Sequence, residues 1–450
     1  MIPQEIMIPK EIMIPKEFKQ KDCDKYGVHG IHIANYKLLD NRDQQDFVRL
    51  FAIKHRHVSI PPVAVPSTTM PTMIAFIDTI RTLKDRLAKA PDISVTSQTG
   101  PDMTTSMCSK LDTLGFMDVS INTYIRTNLT IATIVEYTFN NIHIHFTIYD
   151  TTAHTVQTAS ALEPLQHTIN IKLLLCIVCF YIEMFPAQLA VPSIVINIFM
   201  TPFKKYSPQY HRMTLQPIHI NSGSCHFRGG NPFEINIWRK EELYKVLCHE
   251  LCHYFKIDNI DQHHFDFKTL FNIQGKVKPR EAMTEMNGIL IHHLHVAVHY
   301  YTQHAPQHAP HNAILDQFYD LIQLDICHSL LNVAKILKHV DAYKIEDLYT
   351  TSTCTLQQDT SVFSYYIIKC ALLYNFDQYI LFINTIYTPD IPSGKTAAPN
   401  WTDATTRFFE LARTSLLNKK FIKQVNDICK AINRKPITSS LRMSCVNMIF

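Results

Sequence analysis

The stretch YKVLCHELCHYF, residues 244–255, places His249 and His253 four positions apart, with Glu250 directly after the first. In a helix, residues four apart stand one turn above each other on the same face. Both imidazoles can then meet one metal ion. Glu250 falls one step round the helix, where it can reach a metal-activated water without ligating the metal. The chain carries 24 histidines, so the pair alone could be an accident of composition, and its surroundings decide. Leu243, Val246, Leu247, Leu251, Cys252 and Phe255 make one apolar side of an amphipathic helix. The short alternating strand FEINIW precedes that helix with almost no loop between them.

A catalytic zinc needs a third protein ligand and an open position. The metzincin spacing would put Gly at 256 and His at 259, but the chain has Lys256 and Asn259. Three other sources stay open on spacing alone: Asp258 or Asp261 in IDNIDQ, His263 or His264 in QHHF, and a glutamate from a later helix. The whole chain has 14 glutamates, and only Glu281, Glu285, Glu346 and Glu410 follow His253. Two of these, Glu281 and Glu285, fall four apart in REAMTEMNG, at the start of a helix beyond Pro279.

HELCH followed by EAMTE resembles the gluzincin clan of zinc metallopeptidases, the thermolysin-like group. The resemblance implies that His249, His253 and Glu281 hold one Zn2+ per chain and that Glu250 is the general base. Glu285 takes the place where the clan has an Asp that buttresses a zinc-bound histidine. This signature covers about 245–290. A wider set of segments, IFMTPFKK, HINSGSCHF, INIWRKEELYKVLCHELCHYF, REAMTEMNG and DTSVFSYYIIKCALL, spans roughly 165–380. Together they are similar to a family of metallopeptidase-like proteins of large nucleocytoplasmic DNA viruses. The implied fold is zincin-like. The implied activity is hydrolysis of a peptide bond by a zinc-activated water, with a peptide or protein as substrate. Clan members draw an oxyanion donor from the helical lobe; Tyr366 is assigned that role, with Tyr365 and His292 as the other candidates. FEINIW would lie at the cleft edge and pair with an extended substrate. The alternative is a catalytically inactive zincin-fold protein with a structural or interaction role, which would need the ligands but not Glu250.

The elements that must position these residues can be read in outline. The 450 residues suffice for two or three packed lobes. A formal charge of +4 without any Lys/Arg run points away from nucleic acid. Twelve cysteines are too dilute for a disulfide scaffold, and those in apolar runs, such as Cys176 and Cys179, read as reduced core thiols. With no recognisable secretion signal, an intracellular location is expected. The apolar run LLLCIVCFYI, 173–182, is shorter than the 20 or so residues that span a bilayer; it reads as a buried helix, and no membrane partner is expected. The expected class is α+β, with a mixed N-terminal α/β part, a small sheet plus the active-site helix, and a helical C-terminal lobe. Residues 1–20, with their MIPQEI, MIPKEI, MIPKEF repeat, read as a disordered leader. Residues 21–160 form an N-terminal α+β region, 161–300 the zincin catalytic core and 301–450 the helical lobe. Within the first region, a helix follows the Pro/Thr-rich 61–73, and about 91–106 reads as low in order. The stretch IATIVEYTF-NN-IHIHFTIYD, 131–150, reads as a hairpin. His143 and His145 share one face of its second strand, which reads as a solvated face.

Overall fold

The alternating stretch 131–150 and the apolar stretch 192–201 supply three neighbouring strands of a six-stranded sheet. The computed structural model describes residues 70–152, 169–186, 192–228, 231–304, 310–387, 400–432 and 439–446, apart from 91, 113 and 116, together with 389–390 and 395–396. The leader expected at 1–20 lies outside these residues. The first half contains helices α1 Met70–Ala88, α2 Pro101–Leu111, α3 Val119–Asn128 and α4 Ile171–Met184. Its strands are β1 Ser94–Thr99, β2 Ile131–Phe139, β3 Ile142–Asp150, β4 Ser193–Phe199, β5 Gly223–Arg228 and β6 Asn231–Ile237, in the spatial order β1-β2-β3-β4-β6-β5. Strands β1 to β3 run antiparallel, β3, β4 and β6 run parallel, and β5 closes one edge antiparallel to β6. The Asn140–Asn141 turn has φ of 49° and 62°, the left-handed pair that a tight hairpin demands. Because β3 lies directly beside β4, one sheet joins the stretches divided at residue 160.

Parallel pairing of β3 with β4 requires a long crossover, and α4 lies within it. One face of the sheet, carrying Ile144, Phe146, Ile148, Ile194, Ile196, Ile198, Ile235 and Ile237, is fully buried in the main core. The run 173–182 lies within α4 and is buried along its whole length. Among the described residues, no helix is long and apolar enough to cross a membrane. On the opposite face, Tyr149, Phe199 and Trp238 pack with Met103, Met107 and Leu111 of α2 and with Ile121 and Ile125 of α3 in a smaller cluster. The stretch expected to be low in order, about 91–106, instead forms β1 and the first half of α2. Strand β1 is almost wholly exposed and polar, so it carries no alternating signal and is fixed by its ladder to β2.

The second half is helical: α5 Leu243–Tyr254, α6 Arg280–His304, α7 His311–His339, α8 Lys369–Tyr374, α9 Phe376–Ile386, α10 Trp401–Leu416 and α11 Lys419–Ile432. A π-helical turn, Phe363–Ile368, leads into α8. The division between α10 and α11 falls where the Asn418 side chain accepts the amides of Lys420 and Phe421, capping the new helix. Residues 439–446 are held between these helices by buried polar groups: Glu242 accepts the amides of Met443 and Ser444, and Asp325 accepts the amide of Cys445. The architecture is therefore mixed α+β with a helical C-terminal region.

Candidate metal centre

Helix α5 starts and ends in ways that fix its rotation. Glu242, at its N-cap, adopts φ 60° and is buried 2.9 Å from Lys205. At the other end Lys256 adopts φ 51°, while its amide bonds to the carbonyl of His253 and that of Ile257 to the carbonyl of Cys252. This is the Schellman closure, with Lys256 where glycine is usual. It turns the chain back on itself and brings Asp258 beside His253.

The two histidines meet Glu281 through the same ring atom. Nε2 of His249 lies 3.5 Å and Nε2 of His253 3.3 Å from the same oxygen, Oε2, of Glu281. The rings stand nearly perpendicular, with centroids 4.9 Å apart. Each opposite nitrogen faces a second acid. Nδ1 of His249 is 2.9 Å from Glu285, at ion-pair distance but off the in-line hydrogen-bond direction. Nδ1 of His253 is 2.6 Å from Asp258. These acids are themselves tied down. Glu285 pairs with Lys245, one turn before His249, inside the core. Asp258 pairs with Arg280 at 2.8 Å and accepts from Thr284 at 2.6 Å. Helix α6 thus supplies Glu281, Thr284 and Glu285 from one stretch, and α5 supplies both histidines.

Glu250 makes neither contact. It lines a cleft of about 750 Å³ together with Gly223, Ser224, Cys225 and Phe227 of β5, with His249, His253 and Glu281, and with Tyr365. A Cβ at Gly223 would stand 2.6 Å from Glu250 Oε1, so a side chain there would displace this carboxylate from its place under the strand. Strand β5 is the edge strand beside the cleft. The expectation that FEINIW forms that edge is corrected: β6 lies between β4 and β5 and pairs with both.

The assignment of Tyr366 is also corrected. Its hydroxyl donates to the carbonyl of Leu441 at 2.6 Å, in the core and away from the cleft. Tyr365 faces the cleft instead and donates to Glu281 Oε2 at 3.1 Å. Adjacent residues on a helical turn point in different directions, and of this pair only Tyr365 lines the cleft. His292 is buried against His293, Nδ1 to Nδ1 at 3.2 Å, and is no part of the cleft. Asp261 accepts the amide of His263, the His264 ring packs near Phe409, and none of Asp261, His263 and His264 lines the cleft.

The electrostatics follow from four carboxylates close to two imidazoles. Burial opposes protonation of His249, but Glu285 and Glu281 outweigh it, and its pKa is raised. For His253, Asp258 and Glu281 outweigh burial by more, and its pKa lies well above the ordinary value. Burial likewise opposes ionisation of Glu281, Glu285 and Asp258, but their cationic partners hold all three well below the usual carboxylate range. Burial raises Glu250, and the two histidines pull against it without cancelling the effect. The acids that draw protons onto both imidazoles would also stabilise a cation placed between them, which must displace those protons to bind.

His249, His253 and Glu281 could hold a metal ion: their ligand atoms all lie within 4.8 Å of one another. Tetrahedral zinc with bonds of 2.0–2.1 Å has ligand–ligand edges of about 3.3 Å, which the two histidine–Glu281 distances match. The donor set, two imidazoles and a carboxylate with an acid behind each imidazole, suits zinc. Sequence reasoning missed Asp258 in this supporting role; it had appeared only as a possible ligand, and its signal is the left-handed Lys256 turn, which spacing does not reveal. No protein-family model, curated protein or solved structure matches the chain.

Proposed function

We propose that this protein is a zinc-dependent peptidase with a zincin-like core. One observation carries the reading. Two histidines on one helix present equivalent nitrogens to a single glutamate oxygen, each backed by a buried acid, with Glu250 beside them and free of them. His249, His253 and Glu281 would hold the zinc, which when bound supplies Lewis-acid polarisation of a carbonyl and lowers the pKa of water.

The remaining steps belong to the chain's own groups. Among the described residues the outer edge of β5 pairs with no other strand, and an extended substrate can add to it as a further strand. That register would lay the scissile carbonyl over Glu250, which sits under Gly223. Glu250 takes a proton from the attacking water and returns it to the leaving amine. Tyr365, whose O–H must turn from Glu281 Oε2, supplies a neutral donor for the developing oxyanion. Burial raises its pKa well above the ordinary value, and the Glu281, Glu250 and Glu285 carboxylates add to the shift, so it keeps its proton.

Glu250→Gln is the test. The variant keeps size and shape, and should keep zinc and fold. It should lose nearly all hydrolysis of a broad peptide library, because proton transfer contributes about 10²–10⁴-fold. Chelator-insensitive activity, or equal activity in wild type and variant, would overturn the reading. Stoichiometric zinc without any cleavage would favour a zinc-stabilised interaction protein.

A further inference from the structure

A second set of ligand-type side chains lies far from any role in the cleft, on the other face of the sheet. His143 and His145 alternate with the core residues Ile144 and Phe146 along β3, so both imidazoles emerge on the face opposite the main core. On β2, Glu136 is the residue directly paired with His145 in the ladder. Its Oε1 lies 3.3 Å from Nδ1 of His145 and 3.7 Å from Nε2 of His143. The ligand atoms of all three lie within 4.8 Å of one another. We propose that Glu136, His143 and His145 form a second cation site, open to solvent, for a divalent ion of the zinc class.

Three features carry this beyond a pair of histidines on a wet strand. First, the two contacts to Glu136 are close to the edge of about 3.3 Å expected around zinc. Second, the orientation of His145 is fixed from behind. Its Nε2 lies 3.1 Å from Thr147 Oγ1, two residues along the same face, which leaves Nδ1 to face Glu136. Ring nitrogens held in this way by a second partner are the usual support of a metal-binding histidine. Third, the hairpin already fixes the register, through the tight Asn140–Asn141 turn and β-ladders on both sides of β3. Little ordering remains to oppose binding. The side chains of His143 and Glu136 are 48% and 46% exposed, so an ion can enter directly and complete its coordination with water or an external ligand. The mix of two imidazoles and one carboxylate favours zinc, copper or cobalt over magnesium or calcium.

The site is independent of the cleft, and its test keeps the two apart. Full-length protein, dialysed to its tightly held metal, is titrated with Zn2+ alone by calorimetry, and with Co2+ followed by its visible absorption. Wild type should take up one further equivalent. His143→Ala/His145→Ala should lose that uptake, and Glu136→Gln should weaken it at least 10-fold. All three positions are at least partly exposed, and circular dichroism checks that the variants remain folded. Added zinc should also raise the melting temperature of wild type but not of the double variant, since an ion bound only by the folded state stabilises it. The proposal is overturned if wild type takes up no further equivalent, or if the double variant titrates like wild type. If the cleft holds no zinc, this site still shows as the single equivalent that His143→Ala/His145→Ala removes and His249→Ala/His253→Ala leaves.

Discussion

Gly288 lies against the backbone of His249: a Cβ at 288 would stand 3.3 Å from both the Cα and the amide nitrogen of His249. Glu281, Glu285 and Gly288 share one face of α6 at helical spacing. The close crossing that glycine permits therefore presses both acids onto α5. Gly288→Ala sets two effects against each other. Alanine is favoured in a helix by about 1 kcal/mol over glycine, which offsets part of the about 1–3 kcal/mol that overpacking a buried crossing costs. The added methyl must push α6 back by a few tenths of an ångström, which loosens the grip of Glu281 and Glu285. Zinc affinity, read by chelator competition, should fall about 10-fold, while the melting temperature of the metal-free protein shifts by only a few degrees. Unchanged affinity would show that this crossing does not set the site.

Glu281 and Glu285 should separate cleanly. Glu281→Gln removes the shared ligand and should strip most of the zinc. Glu285→Gln should leave zinc bound, with affinity lower by about 10- to 100-fold. It also leaves Lys245 buried without its counter-charge, which costs about 3–5 kcal/mol. Adding Lys245→Met to Glu285→Gln should therefore restore stability in urea unfolding without restoring affinity. Asp258→Asn should weaken zinc binding to a similar degree through His253. If Glu285 proves indispensable for zinc and Glu281 dispensable, the ligand assignment on α6 is wrong.

The two adjacent tyrosines give opposite expectations. Tyr365→Phe should lower kcat by about 10²- to 10³-fold with little change in KM, as removal of an oxyanion donor does. Tyr366→Phe should leave kcat alone. It strands the Leu441 carbonyl that its hydroxyl bonds, costing about 1–3 kcal/mol of stability. Steady-state kinetics and urea unfolding on both variants decide; a large kcat loss in Tyr366→Phe would return the oxyanion donor to Tyr366.

What the sequence disclosed and what it hid differ in kind. The helix bearing His249 and His253, the acids on α6 and the 131–150 hairpin all repeat with the period of their element, and periodicity is visible in one dimension. Strand β1 was hidden because an exposed edge strand has no buried face to alternate. The cleft edge was mistaken because FEINIW shows good alternation for being covered on one face, whereas neighbours within a sheet are set by topology. The choice between Tyr365 and Tyr366 turned on a π-helical turn, which shifts the register of one side chain without any compositional mark. Asp258 reaches His253 only through the left-handed backbone of Lys256, a residue whose type gives no hint of that geometry. The hairpin histidines were seen on one face, but their third partner needed the β2–β3 register.

The last prediction concerns acid. His292, His295 and His299 lie on α6 beyond the cleft, all buried. Burial lowers each pKa. His293 adds to this for His292, His299 for His295 and Lys84 for His299, which is brought down to about 4. An unfolded histidine titrates near 6.5. Between those values the unfolded chain binds protons that the folded chain refuses, so stability is full above pH 6.5 and is lost as pH falls. His299 alone accounts for about 3 kcal/mol once the pH reaches its folded value, and the other two add to it in the same window. Asp325, held well below the ordinary carboxylate range by His293 and His328 against the effect of burial, acts only below about pH 4. The raised pKa values of His249 and His253 act in the opposite sense and above pH 6.5, losing stability as pH rises, so the effects separate. Urea midpoints of zinc-loaded protein should fall steeply between pH 6.5 and 5, with zinc release adding to the decline as the ligand histidines protonate. His299→Gln should start lower at pH 7.5, having lost its bond to the His295 carbonyl, but decline less steeply. A midpoint that stays constant down to pH 5, or an equally steep decline in His299→Gln, would show that these histidines are not excluded from protons by the fold.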